Sequence, residues 1–497
     1  MITILKNRNL QAFLVFAGIV AVGWTVLSWL AEAGSLGEIT TIGIRVLAVC
    51  IGVAYAWTVT NEIWPSLMCF LLLPLTAVQS FSDVLLNERN TEIILFFILL
   101  CVFLKFLEER EVGRFLAAWM LGRKFLRGRP WLFLFSLFLA AYVVSSLINM
   151  FVGIYLMWGI STSISRALGN KPYEKFPTLL GLGVSIMGAM SLSAMPWGGS
   201  SLVLLTLLPG TASPGHSFLS APPDVIRYVL FTVPLGVLTI LVLLFLFKFL
   251  FRLDVSGIKR LDPGAISVED RKMNPTKAVA LISLLVFVAL MLSEPLLANP
   301  AAPGVLQSFS AIGKLGKLIL ILVLLSMVRV DRQPIFNFTQ VASRGMQWNL
   351  VAMLFIAVPL GQSLFDEKTG ICDFLTNHVA PLFQGIPVLG ILAILAFVMM
   401  ILTNFIANIP VCMLMLPVAF TILENKGISL ELVGFFLIVL CCFGWMTPSS
   451  SAAGMVMSAN KDWLRTKDVV IYSWPILIVM TAVTILYCFC IMRFPLL

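Results

Sequence analysis

Polar side chains interrupt two long apolar stretches of this 497-residue chain. The stretch 131–160 contains Ser145, Ser146 and Asn149, and the stretch 388–423 contains Thr403, Asn404 and Asn408. An amide at the tip of a helical hairpin can cap the following half-helix and donate a hydrogen bond to an anion, and the free N–H groups of that half-helix add a positive field. We therefore expect two tips that bind an anionic substrate. The alternative is that these residues only satisfy the backbone at a turn.

Two further apolar stretches, 176–208 and 432–459, contain helix-breaking residues. Proline removes a hydrogen bond and glycine loosens the backbone, so carbonyls are freed and join nearby hydroxyls as ligands for a hard cation such as sodium. The predicted sodium ligands are Ser145, Asn149, Gly198, Gly199, Ser200, Asn404, Asn408, Ser449 and Ser450. The predicted substrate contacts are Ser146, Asn149, Pro196, Thr403, Asn408, Thr447 and Pro448. The alternative is an ordinary proline kink in which Ser and Thr bond back to the helix.

Asp and Glu are absent from the segments 130–165, 177–223, 385–423 and 432–460. Proton relays in membranes usually need ionisable carboxylates, so a proton-coupled antiporter is disfavoured. The same segments offer no carboxylate pair for a membrane hydrolase, so we do not expect an enzyme. A neutral pocket of amides, hydroxyls and helix N-termini instead favours an anion that enters together with cations.

The composition limits the class of protein that can hold these groups. The chain is 60% hydrophobic and only 11% charged, against about 25% charged in soluble proteins. A soluble enzyme, a disordered scaffold and a nucleic-acid module are therefore excluded. The net charge of +9 indicates basic cytoplasmic loops rather than a nucleic-acid partner. Nine cysteines without a C-x-x-C pair and two histidines predict no zinc site, no disulfide framework and no cofactor besides the coupling ions.

The apolar stretches predict an all-α polytopic membrane protein with about 11 transmembrane helices, since about 20 residues cross the hydrocarbon core. The first stretch begins at Leu10 and has no signal-peptide cleavage site. The stretches 131–160 and 388–423 are too long for one crossing and too short for two, which predicts re-entrant hairpins beside a cavity. The distribution of Lys and Arg predicts a multi-pass protein of the cell membrane with a cytoplasmic N-terminus and an external C-terminus.

Two charged groups outside the apolar centres have simpler interpretations. The cluster Glu108–Glu111 is expected in an interfacial amphipathic helix. Lys314 and Lys317 lie near the start of an apolar stretch and are expected to reach the lipid headgroups.

Three pairs of segments suggest an internal duplication. Leu107–Arg110 is similar to Phe365–Lys368, Asn149 matches Asn408, and 195–201 is similar to 446–452. An odd number of crossings between the copies would invert one of them, and inverted repeats that meet at the membrane midplane are typical of secondary transporters. We predict an N-terminal helix in 1–42, a first repeat in 43–260 and a second, inverted repeat in 272–497, each with one hairpin and one broken helix.

Four segments of the chain resemble the divalent anion:sodium symporter family, within the wider ion transporter superfamily. They are Trp57–Pro65, Phe365–Gly370, Thr403–Asn408 and Thr447-Pro448, and the likeness runs from about Ile44 to the C-terminus. The resemblance implies a Ser-Asn-Thr triplet at each hairpin tip that binds carboxylates, and sodium ions held by the tips and the broken helices. It also implies a homodimer whose transport domains move by an elevator motion.

Only the asparagines of those triplets are present here. The first tip has Ile148-Asn149-Met150 and the second has Ala407-Asn408-Ile409. Because apolar side chains replace the hydroxyls, we expect a substrate with one anionic group and a hydrophobic body.

The predicted function is a sodium-coupled secondary transporter of small organic anions, carboxylates among them. The alternatives are an uncoupled facilitator or channel, which would need a continuous polar stripe along several helices, and a sensor that keeps the fold without transport.

Overall fold

The computed structural model describes residues 8–34, 37–60, 62–86, 88–208, 223–260, 272–293, 312–447 and 450–493. The helices within these ranges are α1 (Arg8–Glu32), α2 (Thr41–Val59), α3 (Trp64–Leu75), α4 (Phe81–Leu86), α5 (Glu88–Glu109), α6 (Val112–Leu121), α7 (Pro130–Leu147), α8 (Met150–Ala167), α9 (Lys175–Ser191), α10 (Gly199–Leu207), α11 (Val225–Leu250), α12 (Pro275–Leu292), α13 (Gly313–Met327), α14 (Phe338–Gly345), α15 (Trp348–Phe365), α16 (Ile371–Phe383), α17 (Val388–Thr403), α18 (Asn408–Leu423), α19 (Leu430–Cys441), α20 (Ala452–Ala459) and α21 (Thr466–Arg493). Short 3₁₀ turns occur at Lys124–Leu126, Ser256–Arg260, Glu367–Thr369 and Glu424–Lys426, and strands β1 (Arg329–Val330) and β2 (Gln333–Pro334) pair antiparallel.

Several helix starts near the two breaks and hairpins carry a side-chain cap. Asp224 caps α11, Ser429 caps α19 and Ser451 caps α20 by accepting backbone N–H groups of the first turn. These caps satisfy donors that have no partner inside a helix. The sequence therefore sets where these helices begin even though their apolar character is nearly uniform.

Among the described residues, 8 helices are long and apolar enough to cross a membrane, and up to 9 if the bent pair Ile371–Phe383 and Val388–Thr403, which meets at 117°, counts as one span. The predicted polytopic, all-α character is therefore confirmed. The count of about 11 and the re-entrant path of the hairpins stay predictions, because length and composition alone do not place a helix across the bilayer.

The helices form two copies of one arrangement. In the first copy the pair α7–α8 packs against the broken helix α9/α10 and α7 packs against α11; in the second, α17–α18 packs against α19/α20 and α17 against α21. The second half of each broken helix crosses to the other copy, since α10 contacts α18 and α20 contacts α8. These reciprocal contacts are those of two repeats that share one interface, whereas the inversion of the second repeat stays a prediction. The domain boundaries at 43, 260 and 272 stay predictions.

The predicted hairpins and breaks correspond to definite helix ends. The stretch 131–160 is the pair α7–α8, whose second arm extends to Ala167, and 388–423 is the pair α17–α18. The first broken helix is interrupted between Ser191 and Gly199, and the second between Cys441 and Ala452.

Small residues let the helices of the first repeat approach closely. A Cβ atom on Gly183 would lie 2.6 Å from the ring of Phe138, and one on Gly188 would lie 2.3 Å from the side chain of Ile154. Glycines at such contacts are typical of helix packing in membranes. They fix α9 against α7 and α8, so the tip and the break of this repeat keep one relative position.

The expectation that Lys317 reaches the headgroups is wrong. Its side chain is completely buried within the protein. Lys317 lies near the start of an apolar stretch, which suggested an interfacial position. In the fold, α5 and α12 pack against α13, the helix that contains Lys317, and the side chain is buried.

Candidate functional site

The first hairpin tip lies between α7 and α8. Asn149 Oδ1 accepts a hydrogen bond from Phe151 N at 2.8 Å and so caps α8. Ser146 Oγ donates to Tyr142 O at 2.6 Å, whereas the buried Ser145 Oγ has no hydrogen-bond partner. The amide therefore performs the predicted capping, and Ser145 retains an oxygen with free lone pairs.

The second hairpin tip lies between α17 and α18 and is held from outside the repeat. Ala407 N donates to Thr58 Oγ1 at 3.0 Å, and that hydroxyl donates to Ala54 O at 2.7 Å. Asn408 is the first residue of α18 and is buried, with 6% of its surface exposed, yet its Oδ1 has no hydrogen-bond partner. A buried amide oxygen without a donor is costly, which marks it as a position for a ligand that supplies a hydrogen-bond donor or a positive charge.

Asn404 joins this tip to the second broken helix. Its Nδ2 donates to Phe443 O at 3.2 Å, and its Oδ1 accepts from Met446 N at 3.0 Å. Thr447 Oγ1 donates to the backbone oxygen of Asn404. The side chains of Asn404 and Thr447 therefore satisfy the backbone of the break, which is the structural role that the sequence left as the alternative.

The second break also brings two oxygens close to Gly444. A Cβ atom on this glycine would lie 2.3 Å from Thr403 O and 2.8 Å from Asn408 Oδ1. Within the break, Ser450 Oγ donates to Thr447 O at 2.6 Å and Ser451 Oγ donates to Gly444 O. Pro448 and Ser449, which the sequence predicts at this site, lie outside the described residues.

The first break is closed by hydroxyl groups. Ser201 Oγ lies 2.8 Å from Leu192 O and 2.6 Å from Met195 O. Two hydroxyls of α11 reach the carbonyls between these, since Tyr228 Oη donates to Ser193 O at 2.6 Å and Thr232 Oγ1 lies 2.8 Å from Ala194 O. Gly198 precedes α10, and Gly199 and Ser200 form its first turn.

Both tips and both breaks line one cavity of about 1410 Å³. The predicted site residues on its wall are Ser145, Ser146, Asn149, Gly198, Gly199, Ser200 and Asn408. The predicted residues Pro196, Thr403, Asn404, Thr447 and Ser450 are described but do not line it. The tip residues Ile148, Met150, Ala407 and Ile409 also face the cavity, so the apolar replacements at both tips belong to its surface.

Four helix N-termini meet at this cavity. Asn149 and Asn408 stand at the starts of α8 and α18, Gly199 begins α10, and Ser451 caps α20, and all four residues line the wall. Each N-terminus carries a partial positive charge of about +0.5. The cavity can therefore attract an anion without a lysine or arginine at the tips.

The acidic cluster at the corner between α5 and α6 forms another part of the wall. Its carboxylates are paired: Glu108 with Lys105 at 2.7 Å, Glu109 with Arg344 at 3.6 Å, and Glu111 with Lys277 at 3.1 Å. These pairs neutralise the negative charge of the cluster and connect the corner to α12 and α14. Sequence reasoning placed the cluster at the membrane interface without a relation to the site.

Four site residues were not predicted from the sequence: Thr58, Gly444, Tyr228 and Thr232. Thr58 lies within the segment Trp57–Pro65, and Gly444 shortly precedes the helix break, so both stood beside recognised signals. Tyr228 and Thr232 are four positions apart on one face of α11, and only the fold brings that face to the first break.

A family model described as CitMHS, citrate transporter, matches residues 52–440 and 308–496 of this chain. The chain belongs to the citrate transporter family. The predicted relation to the ion transporter superfamily is confirmed, and so is the coarser prediction of a multi-pass membrane transporter. A search of curated proteins finds no match.

Two solved transporters share the fold of this citrate transporter family member. The YdaH transporter of Alcanivorax borkumensis, described as having an unusual topology, is 13% identical with a TM-score of 0.56, over 84% of this chain and 88% of that one. MtrF of Neisseria gonorrhoeae, described within a class of antimetabolite efflux pumps, is 13% identical with a TM-score of 0.56, over 82% of each chain. At this identity the likeness shows the fold alone.

Proposed function

We propose that this citrate transporter family member is a secondary active transporter that carries small organic anions, carboxylates among them, together with sodium. The observation that carries the proposal is the convergence of four helix N-termini and both tip asparagines on one cavity. Binding an anion at helix N-termini needs no buried cation. It also agrees with the absence of Asp and Glu from the four apolar segments.

The unpartnered amide oxygen of Asn408 supports sodium as the coupling ion. An amide oxygen repels an anion but coordinates a hard cation, and Thr403 O also lies next to Gly444, beside Asn408 Oδ1. Unwound backbone and helix ends hold sodium in other secondary transporters. The donor set at the second tip therefore fits a cation bound next to the anion.

The apolar part of the wall supports a substrate with a hydrophobic body. Besides the tip residues, the cavity is lined by Phe97, Leu100, Leu104, Leu350 and Met353. Because the hairpin tips have few hydroxyls, they offer few hydrogen-bond donors to a second or third carboxylate. The apolar side chains of the wall instead stabilise a bound substrate by burying its apolar surface. We propose one anionic group held by the N-termini and an apolar remainder held by α5 and α15.

Transport would proceed by movement of the hairpins and broken helices, together with α11 and α21 that pack against them, against the remaining helices. This would occur in a homodimer of the cell membrane with a cytoplasmic N-terminus and an external C-terminus. Few polar contacts join the second tip to α2, and the bond from Ala407 N to Thr58 is one of them. An elevator motion needs such an interface, because it must be broken and remade in each cycle.

Uptake by purified protein in proteoliposomes tests the proposal. The labelled anions are citrate, succinate and hexanoate, each measured with an inward sodium gradient and with potassium in place of sodium. Asn149→Ala and Asn408→Ala should abolish most uptake, while Asn377→Ala serves as the matched control because this exposed amide of α16 does not line the cavity.

Accumulation of an anion above equilibrium only under the sodium gradient is the expected result. Equilibration that ignores the gradient would identify an uncoupled facilitator, and sodium-dependent binding without flux would identify a sensor; either result refutes coupled transport. Uptake of succinate without any uptake of hexanoate would refute the proposed substrate class alone.

A further inference from the structure

The carbonyl groups of the first break are already satisfied by the protein. Four consecutive backbone oxygens, from Leu192 to Met195, each have a hydroxyl within 2.8 Å. Met195 O also accepts from Gly198 N at 2.9 Å. A sodium ion at this break would have to compete with hydroxyl protons that point at its potential ligands.

These hydroxyls come from elements that contact the break directly. Ser201 belongs to α10, which continues from it, and Tyr228 and Thr232 belong to α11, which packs against α9. All three side chains are at least 97% buried. Thr232 Oγ1 shares its proton between Ala194 O at 2.8 Å and Tyr228 O at 2.9 Å, so it can follow small shifts of the break.

Among the described residues, no hydroxyl of the corresponding helix α21 closes the second break in this way. In α21 the buried Ser473 Oγ has no hydrogen-bond partner, and Tyr487 Oη donates at 2.9 Å to Phe231 O of α11 rather than to the second break. The second break is instead tied to its own hairpin tip through Asn404. At the first tip, Ser145 occupies the position that matches Asn404, and its hydroxyl makes no such bond.

From this asymmetry, and resting on the proposed function, we propose that the two breaks have different roles in coupling. Tyr228, Thr232 and Ser201 occupy the first break in place of a coupling ion, so that this break is a rigid, protein-satisfied joint. Sodium binds only beside the second tip, where Thr403 O and the unpartnered Asn408 Oδ1 both lie next to Gly444. Tyr228 and Thr232 are therefore positioning residues, and one sodium ion accompanies each anion.

Thermal unfolding of the purified full-length protein, in sodium chloride and in potassium chloride, distinguishes sodium binding at the first break from sodium binding at the second. A ligand that binds only the folded state raises its stability by mass action. Tyr228→Phe and Thr232→Val should lower the unfolding temperature equally in both salts. They should leave unchanged the sodium increment, which is the amount by which the unfolding temperature in sodium chloride exceeds that in potassium chloride. Gly444→Ala should remove that increment, because its Cβ would displace Thr403 O and Asn408 Oδ1, the two proposed sodium ligands.

Matched controls come from the same helices. Thr239→Val removes a buried hydroxyl of α11 that bonds only to Leu235 O of its own helix, at 2.9 Å, and Tyr487→Phe removes a hydroxyl outside the breaks. Thr232→Ser keeps the donor and should restore the wild-type unfolding temperature. A smaller sodium increment in Tyr228→Phe or Thr232→Val, but not in the controls, would show that the first break binds the ion and would overturn the inference.

Simultaneous flux of ²²Na⁺ and labelled citrate, succinate or hexanoate gives the stoichiometry. One sodium ion per anion is expected. Two or more would overturn the single-site inference while leaving sodium-coupled transport intact. Flux without sodium, or the absence of a sodium increment in the wild-type protein, would instead refute the coupling in the proposed function, and the second-break site with it.

Discussion

Gly444→Ala is the substitution whose effect follows most directly from the geometry. The added Cβ would lie 2.3 Å from Thr403 O and 2.8 Å from Asn408 Oδ1, whereas carbon atoms approach such atoms to about 3.4 Å. The nearer obstacle is a backbone oxygen, so the second tip must move by about 1 Å. Overpacking of this kind costs about 1–3 kcal/mol. The tip can relieve the overlap when no ion holds its oxygens in place, so the cost falls on the ion-bound state and lowers sodium affinity by about 5- to 150-fold.

The assay is sodium-driven uptake, and its main readout is the sodium concentration that gives half-maximal uptake. Thermal unfolding checks that the variant is folded. Gly159→Ala in α8 is the control, since its Cβ would meet no atom within 4 Å and alanine favours a helix over glycine by about 1 kcal/mol. Wild-type uptake and wild-type sodium dependence of Gly444→Ala would refute the argument that the space beside Gly444 belongs to the binding site.

Further predictions concern the contacts that hold the second tip. Asn404→Ala leaves Met446 N and Phe443 O without partners, which costs about 1–3 kcal/mol for each buried group. Its unfolding temperature should fall well below that of Ser146→Ala, which loses only a bond within its own helix; equal temperatures would contradict this. Thr58→Val removes the acceptor for Ala407 N, a loss of about 1 kcal/mol. Initial uptake rates should fall about fivefold and recover in Thr58→Ser, and unchanged rates in Thr58→Val would count against the contact.

The elements of the fold were predictable from the sequence because the apolar stretches and their breakers are strong local signals. The matching positions of Asn149 and Asn408 predicted two related tips, and both residues line one cavity. Proline and glycine between 195 and 199 predicted the first break. Each of these signals lies within a single segment, so it can be recognised without knowing which other segments pack against it.

The partners of the freed groups could not be predicted, because they come from distant segments. Asn404 was expected to bind sodium, yet it satisfies the backbone at Phe443 and Met446. Tyr228 and Thr232 reach the first break only because α11 packs against α9. In the same way, Lys317 is buried by helices that its own segment does not reveal.

The central claim is that the shared cavity binds the anion at the helix N-termini, and sodium-driven uptake by Asn149→Asp tests it most directly. Aspartate can still accept the hydrogen bond from Phe151 N and cap α8, so the fold should be retained. Its negative charge would stand where the anion binds. We predict normal thermal unfolding with uptake reduced at least 100-fold relative to the wild-type protein. Uptake by Asn149→Asp equal to that of the wild type would contradict the account.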